Sequence, residues 1–336
     1  MNPFVLTGAF PGAPIHASLA TAFVEPFTYS FMQRAVIVTS VTALCTGLLS
    51  AWIILLGWSL LGDAISHAVL PGVVISYILG IPFSIGALIA ALLTVGLIGT
   101  IRGKTNLKDD TAIGIVFTTF FAFGLVLISM TPSTTDLHSI LFGNLLGVRQ
   151  SALIQVVVIA LLASALVLIK RRDITLWSFD AINARSLGIN PVLMRGFMLT
   201  MLALVIVASM QAVGVILVVA MLITPGAISL LIFARMRSTL IWTPVISWVT
   251  AMSGLLISYW TDVSSGGMIV VVQGCTFMVV FATKHWVSRV RHRTHQDTVE
   301  EEGAPHEIGR PHAKGASHQP SPVSYTHLTL PTICSV

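Results

Sequence analysis

One apolar stretch decides the fold class of this chain. Residues 35–101 read AVIVTSVTALCTGLLSAWIILLGWSLLGDAISHAVLPGVVISYILGIPFSIGALIAALLTVGLIGTI, and Asp63 is the single formally charged side chain among them. A membrane-crossing helix needs about 20 apolar residues, so this stretch is long enough for several spans. A second stretch, 196–234, contains no charged residue. We therefore predict an all-α fold, a polytopic transmembrane helical bundle.

The overall composition agrees with a membrane protein. Hydrophobic residues make up 55% of the 336 residues and charged residues 9%, whereas soluble domains carry about a quarter charged residues. The net charge of +5 raises the question of a nucleic-acid partner. The lysines and arginines lie in loops between apolar segments, where basic residues report membrane topology. We therefore expect a lipid bilayer around this chain and no nucleic acid.

Nine apolar segments are visible, and basic loops separate them in pairs. The segments fall at 33–57, 60–80, 83–101, 111–130, 151–169, 196–211, 213–234, 240–260 and 267–284. The basic loops are 102–110, 170–195, 234–237 and 284–293, and they share one side if two spans separate each from the next. The positive-inside rule makes that side cytoplasmic. If one segment is only half-buried, the count falls to eight, so eight and nine spans both stay open.

Composition divides the chain into four parts. Residues 1–31 are predicted to be a non-spanning N-terminal segment that lacks the basic region of a signal peptide, and residues 32–288 form the transmembrane domain. Residues 289–320 are polar and predicted to be disordered; their histidines suit either a flexible tail or a metal-chelating one. Residues 321–336 match neither part and look like a non-native or frameshifted end. Within the membrane domain, 131–148 is predicted to be a half-helix in the outer interface.

Asp63 and His67 are the first candidates for a functional site. They are four residues apart, so on a helix they share one face. A charged residue inside a span costs at least about 2.5–3.5 kcal/mol on insertion scales, and it normally faces a cavity, a partner or a pathway. Carboxylate and imidazole suit Mn²⁺, Fe²⁺ or Zn²⁺. Two ligands are too few for a closed site, whereas two copies of the chain would supply four. The alternative is a hydrogen-bonded pair that only fastens two helices.

Two Pro-Gly pairs are candidates for helix breaks along a transport path. Pro71 has no N–H, so it leaves the carbonyl of His67 without its helical partner, and Gly72 is expected to loosen the same turn. Pro225 and Gly226 are predicted to interrupt a late span in the same way. Paired interrupted spans are typical of the substrate path in transporters.

The long basic loop contains a short predicted helix. In SFDAINARSLGI (178–189), Asp180 has the type and position of an N-cap and Gly188 of a helix stop. A capped helix in a cytoplasmic loop suits docking of a partner, although a solvated loop helix with no partner has the same pattern.

Several of these stretches together resemble a known family. GWSLLGDAISHAVLPGVVISYILGIPFSIGA, DDTAIGIVFTTFFAFGLVLIS, DLHSILFGNLLGV, SFDAINARSLGI and QAVGVILVVAMLITPGA occur in the order found in the permeases of ABC importers for manganese, zinc and chelated iron. The resemblance covers about residues 31–284 and is strongest to the manganese/iron branch. Residues 291–336 lie outside it.

The resemblance implies a function, a location and partners. It implies a multi-pass permease of the bacterial inner membrane that pairs with a second permease copy, separate cytoplasmic ATPase subunits and an extracytoplasmic metal-binding protein. It implies that Asp63 and His67 line the metal path, with a transported divalent metal and no stably bound cofactor. It also implies a cytoplasmic coupling helix that docks on the ATPase, with the docking residues Ser178, Phe179, Asp180, Ala184, Leu187 and Gly188.

The sequence itself favours transport over catalysis. GTIRGKT at 99–105 resembles a phosphate-binding loop, but it has three residues between its glycines instead of four and follows an apolar span rather than a strand. We therefore expect no ATPase activity in this chain, and the resemblance implies that ATP hydrolysis resides on a separate subunit. Two alternatives stay open. A proton-coupled secondary metal transporter would also keep an intramembrane Asp and His, with His67 as proton carrier, and a membrane scaffold would use the pair for assembly only.

Overall fold

A computed structural model describes residues 25–105, 107–130, 147–148 and 150–302. Within these ranges the chain is helical apart from short connections, which confirms the all-α prediction. A 3₁₀ turn at Glu25–Thr28 precedes the first α-helix. The helices are α1 (Ser30–Leu55), α2 (Ser59–Ala68), α3 (Leu70–Leu79), α4 (Phe83–Lys104), α5 (Asp109–Met130), α6 (Gln150–Ile169), α7 (Arg171–Phe179), α8 (Ala181–Ser186), α9 (Pro191–Val213), α10 (Val215–Ile232), α11 (Met236–Thr261) and α12 (Ser265–Glu302).

Nine spans of membrane-crossing length and hydropathy occur in the described part of the chain. Helices α2 and α3 together form one of them, Ser59–Leu79, and α12 contributes its first 22 residues. Of the two counts that the sequence leaves open, the described residues give nine. The half-helix predicted at 131–148 lies outside the described residues, apart from 147 and 148.

The basic connections all follow odd-numbered spans. They join α4 to α5, α6 to α9 and α10 to α11, and the last begins within α12 at the end of the ninth span. With two spans between successive basic segments, these four segments share one membrane side. The positive-inside rule makes that side cytoplasmic, and it carries both α7 and α8.

Helix α1 is the centre of the bundle. It packs along α10, α11 and α6, and the first span is the most buried of the nine, whereas the last is the least. Trp52 is fully buried on α1, and its indole N–H donates to Thr175 Oγ1 at 3.2 Å. Outer spans expose large apolar side chains such as Leu162 and Val279, as expected for surfaces that face lipid.

The two Pro-Gly pairs differ in their effect on the helices. The second span is interrupted at Val69, between α2 and α3, so that Pro71 stands in the first turn of α3, where its missing N–H costs little. The predicted interruption at Pro225 is wrong, because α10 runs through it without a break. Pro225 removes one hydrogen bond of α10. The contacts of the next residue, Gly226, with α1 hold this part of the helix in place.

The described residues up to 288 form one compact unit, and those from 289 onward belong to a second. The described part of the second unit is the end of α12, which continues as helix to Glu302. The first residues of the predicted polar tail are therefore helical. The rest of that tail, most of the predicted N-terminal segment and the end at 321–336 lie outside the described residues.

Candidate functional site

Asp63 and His67 lie side by side on α2, as their spacing predicts. The distance between His67 Nε2 and Asp63 Oδ1 is 3.5 Å, too long for a strong charge-assisted hydrogen bond. The side chains are partly open, with 27% of His67 and 47% of Asp63 exposed. The pair is therefore accessible to an ion or to another chain.

Two phenylalanine rings of α5 hold the imidazole. The ring of His67 lies 5.8 Å from that of Phe117 and 5.5 Å from that of Phe121, the second in an edge-to-face arrangement. The two phenylalanines also stack on each other. This packing limits the rotation of His67 and directs Nε2 towards the carboxylate on its own helix. Neither phenylalanine was predicted from the sequence as a neighbour of His67, although FTTFF at 117–121 places two of its three aromatic residues one helical turn apart.

The pair has too few ligands in one chain for a closed metal site. Among the described residues, no group of three His, Cys, Asp or Glu side chains could hold a metal ion. Ser66 does not join the pair, because it is buried on another face of α2 and donates to the carbonyl of Gly62 at 2.8 Å. A transient ion would need further ligands from backbone carbonyls, water or a second chain.

Gly72 forms a close contact between α3 and α4 rather than a loose turn. A Cβ atom built on Gly72 would collide with the carbonyl of Gly86 and lie 2.7 Å from the Cβ of Ala90. A Cβ on Gly86 would likewise collide with Gly72 and with the hydroxyl of Ser76. Helices in membranes approach closely where small residues meet. The glycine after Pro71 therefore fixes the outer half of the second span to the third.

Gly226 makes a similar contact with the central helix. Its backbone N–H donates to Ser50 Oγ of α1 at 2.9 Å, and a Cβ atom there would lie 2.7 Å from the carbonyl oxygen of Ser50. Both glycines of the Pro-Gly pairs are thus packing positions. The sequence placed them in helices but could not reveal their partners.

A polar cluster joins three helices on one side of the membrane. Ser84 Oγ lies 3.1 Å from Gln155 Oε1 and 3.2 Å from Gln211 Oε1. These residues belong to the start of α4, the first half of α6 and the end of α9, which are all on the side opposite the basic connections. Interhelical hydrogen bonds of this kind hold membrane helices together.

The short cytoplasmic helix has both predicted ends. Asp180 is the N-cap of α8, and its Oδ1 accepts hydrogen bonds from the backbone N–H groups of Ile182 and Asn183 at 3.0 and 2.9 Å. Gly188 follows α8 with a φ of +83°, a conformation that glycine adopts without strain. Ala184 is buried and anchors the helix to the bundle.

The solvent-exposed face of residues 179–187 carries apolar side chains, in a loop that is rich in basic residues. Phe179 is 62% exposed, Ile182 83% and Leu187 66%. These three lie outside the spans, so lipid tails do not explain their exposure. The Ser178 hydroxyl donates to the carbonyl of Thr175 at 2.8 Å. The exposed apolar side chains form a surface suited to a protein partner.

Comparisons with known proteins agree with this architecture. Residues 28–284 match the family described as the ABC 3 transport family. The chain is 45% identical over 256 residues to the manganese transport system membrane protein MntB of Synechocystis sp., covering 76% of this chain and 84% of that protein. It is 44% identical over 261 residues to the chelated iron transport system membrane protein YfeD of Yersinia pestis, covering 78% and 88%.

A solved structure supports the same assignment. PsaBC from Streptococcus pneumoniae in complex with Fab superimposes with a TM-score of 0.69 at 37% identity, over 79% of this chain and 95% of that one. With nine apolar helices among the described residues, the protein is a multi-pass protein of the bacterial inner membrane. The chain belongs to the ABC 3 transport family.

Proposed function

We propose that this permease subunit of a binding-protein-dependent ABC importer moves manganese or iron(II) into the cytoplasm, with zinc as a further candidate, through the face of α2 that carries Asp63 and His67. Family membership makes the chain a transport subunit whose ATP hydrolysis resides on a separate subunit. The names of the relatives support manganese and chelated iron as cargo. The site residues, the metal and the pairing of two permeases are the proposal.

One observation carries the choice of site. Asp63 and His67 present an oxygen and a nitrogen donor 3.5 Å apart, partly open, within a span that has no other charged side chain. Carboxylate oxygen and imidazole nitrogen suit manganese, iron and zinc ions. Incomplete ligation suits a path, because an ion must leave each site that it enters.

A second permease copy would complete the coordination. Two copies that face each other through α2 would bring two carboxylates and two imidazoles to one axis. This is consistent with the exposure of Asp63, since a side chain 47% exposed in one chain is free to face a partner. Pro71 has no backbone N–H to donate to the carbonyl of His67 four residues before it. We therefore include that carbonyl as a candidate oxygen ligand.

The coupling surface consists of α8 and the residues that flank it. The proposed contacts to the ATPase come from Phe179, Leu187 and the exposed side of α8. Asp180 and Gly188 fix the two ends of this helix. The buried Ala184 holds it against the rest of the protein. An ATPase that closes on this surface would push the short helix, which is joined to α9 through only a few residues. This would couple ATP binding to the spans.

Uptake of radiolabelled manganese tests the proposal. Bacteria without their own manganese importers would express the permease with its ATPase and binding protein, as wild type, His67→Ala and Asp63→Asn, at matched membrane levels. We expect uptake to require the ATPase and to fall at least tenfold in both variants. Phe123→Leu is the control, because Phe123 is 53% exposed on α5 and is not in contact with the imidazole.

Each other outcome selects a different function. Uptake that continues without the ATPase would favour a proton-coupled secondary transporter. Normal uptake by His67→Ala would make the pair a fastener between helices. Loss of membrane assembly in the variants, with no change in uptake per assembled complex, would support the scaffold alternative.

A further inference from the structure

We propose that a cleft on the cytoplasmic side, between α7 and α11, binds the headgroup of an anionic phospholipid whose acyl chain lies in a groove beside it. The cleft has a volume of about 680 Å³. We call it the arginine cleft, and the residues that line it include Arg171, Arg172, Phe179, Arg237, Leu240 and Ile241.

The charge of the arginine cleft suits a phosphate. Arg171, Arg172 and Arg237 line it together, and no carboxylate is among its lining residues. In the part of the chain that the structure describes, these three arginines have no ion pair. The one acid on α7, Asp173, is already 3.2 Å from Lys170 Nζ. Guanidinium groups bind phosphate oxygens through paired hydrogen bonds.

An apolar groove extends from the cleft towards the membrane centre. It has a volume of about 330 Å³ and runs between α1, α6 and α11, with Leu44, Leu48, Ala160, Leu168 and Pro244 among its residues. Leu240 lines both the cleft and the groove. From Leu168 to Ala160 the groove follows α6 for about 12 Å. A free phosphate ion would make no favourable contact with this apolar surface, whereas an acyl chain would fill the groove.

The level of the cleft matches the lipid headgroups. It lies on the side of the basic connections, where the leaflet contains the anionic lipids that attract lysine and arginine. Trp242, five residues after Arg237, is 48% exposed, and its ring stacks on that of Phe233 with the ring centroids 6.0 Å apart. Tryptophan at the end of a span is typical of the membrane interface.

Two other occupants compete with a lipid. Phe179 belongs both to the arginine cleft and to the proposed coupling surface, so an ATPase subunit could cover the cleft instead. A second permease copy could cover the groove. A phospholipid is favoured because the arginines match its anionic headgroup and the adjoining apolar groove matches its acyl chain.

Native mass spectrometry of the full-length chain, delipidated in detergent, tests the proposal. The probes are dioleoylphosphatidylglycerol, dioleoylphosphatidylcholine and inorganic phosphate. We expect one phosphatidylglycerol per chain, bound in clear preference to phosphatidylcholine and not displaced by millimolar phosphate. Each arginine near an anionic surface contributes about a fivefold change in affinity. Arg237→Gln should therefore weaken binding about fivefold, and the triple change of Arg171, Arg172 and Arg237 to Gln about a hundredfold.

The controls separate a built site from general charge. Arg235→Gln removes an equal charge two residues from Arg237, but Arg235 does not line the cleft, and it should change binding less than twofold. Leu240→Trp should weaken binding of both lipids by filling the junction with the groove. A glutamine variant that is misfolded would change its elution volume in size-exclusion chromatography. In that case the matching lysine variants, which keep the positive charge, should retain the lipid.

Three results would overturn the proposal. The first is equal binding of the two lipids, and the second is equal effects of Arg235→Gln and Arg237→Gln. The third is unchanged lipid binding by the triple variant together with loss of ATPase co-purification, which would assign the cleft to the ATPase interface.

Discussion

Replacing Gly72 by alanine tests whether the close contact between α3 and α4 holds the second span in place. The new Cβ would collide with the carbonyl of Gly86 and lie 2.7 Å from the Cβ of Ala90, whereas ordinary contact begins at 3.4 Å. Most of the opposing atoms are backbone, which cannot rotate away as a flexible side chain does. The two helices must therefore move apart by at least about 0.7 Å along this contact.

The expected cost follows from overpacking. Inserting a methyl group into a filled interface costs about 1–3 kcal/mol. Gly96→Ala is the matched control, because Gly96 lies on α4 and a methyl group added there would meet no atom within 4 Å. Glycine inside a helix is about 0.5–1 kcal/mol less favourable than alanine, so the control should be slightly stabilised. Gly72 also lies within a helix, so Gly72→Ala gains the same helix propensity and that gain cancels in the comparison. The two variants should therefore differ by the overpacking cost alone, about 1–3 kcal/mol.

Reversible unfolding in mixed detergent micelles, followed by tryptophan fluorescence, would measure the difference in free energy. Metal uptake at matched expression would show whether the displaced helix also disturbs transport, since Gly72 lies five residues after His67. Equal stability of Gly72→Ala and Gly96→Ala would refute the close contact. The glycine after Pro71 would then serve only to relax the turn.

Three further predictions rest on single contacts. Ser50→Ala removes the acceptor of the Gly226 N–H and should lower the free energy of unfolding by about 1 kcal/mol, measured in the same micelles. Asp180→Ala removes the N-cap of α8, which is worth about 0.5–2 kcal/mol locally, and should reduce co-purification of the ATPase. Phe121→Leu removes the edge-to-face contact with His67, worth about 0.5–1.5 kcal/mol, and should raise the KM for metal uptake about two- to tenfold.

Each of these changes has a control in the same chain. Thr94→Val removes a hydroxyl that bonds only within its own helix, and it should be milder than Ser50→Ala. Asp180→Asn keeps a side chain able to cap and should retain the ATPase. Phe123→Leu should leave the KM unchanged, because Phe123 faces outward. If a control has the same effect as the variant it is paired with, the contact named for that variant is not the cause of the effect.

Features that depend on neighbours in sequence were predictable. The spans follow from the length of the apolar segments, and the contact of Asp63 with His67 follows from helical spacing. The cap and the stop of α8 were predictable for the same reason, since Asp180 and Gly188 act on the backbone beside them. Such signals are local and need no partner helix.

Features that depend on distant residues were not predictable from one sequence. Ser50 and Gly226 are 176 residues apart, and Ser84 and Gln211 are 127 apart. Pro225 illustrates the same limit. A proline in an isolated helix predicts a break, but packing against α1 keeps α10 continuous.

The central position of α1 has a consequence for biogenesis. Ribosomes add about 5–20 residues per second, so Gly226 is made about 9–35 s after Ser50, its partner across 176 residues. During that interval the first span resides in the bilayer before α10 and α11 exist, with the buried hydroxyls of Thr39, Thr42 and Ser50 still uncovered. Membrane integration and tertiary assembly of this helix are therefore separate events in time. A chain that stops short of α10 would present this polar face to insertion chaperones and membrane proteases.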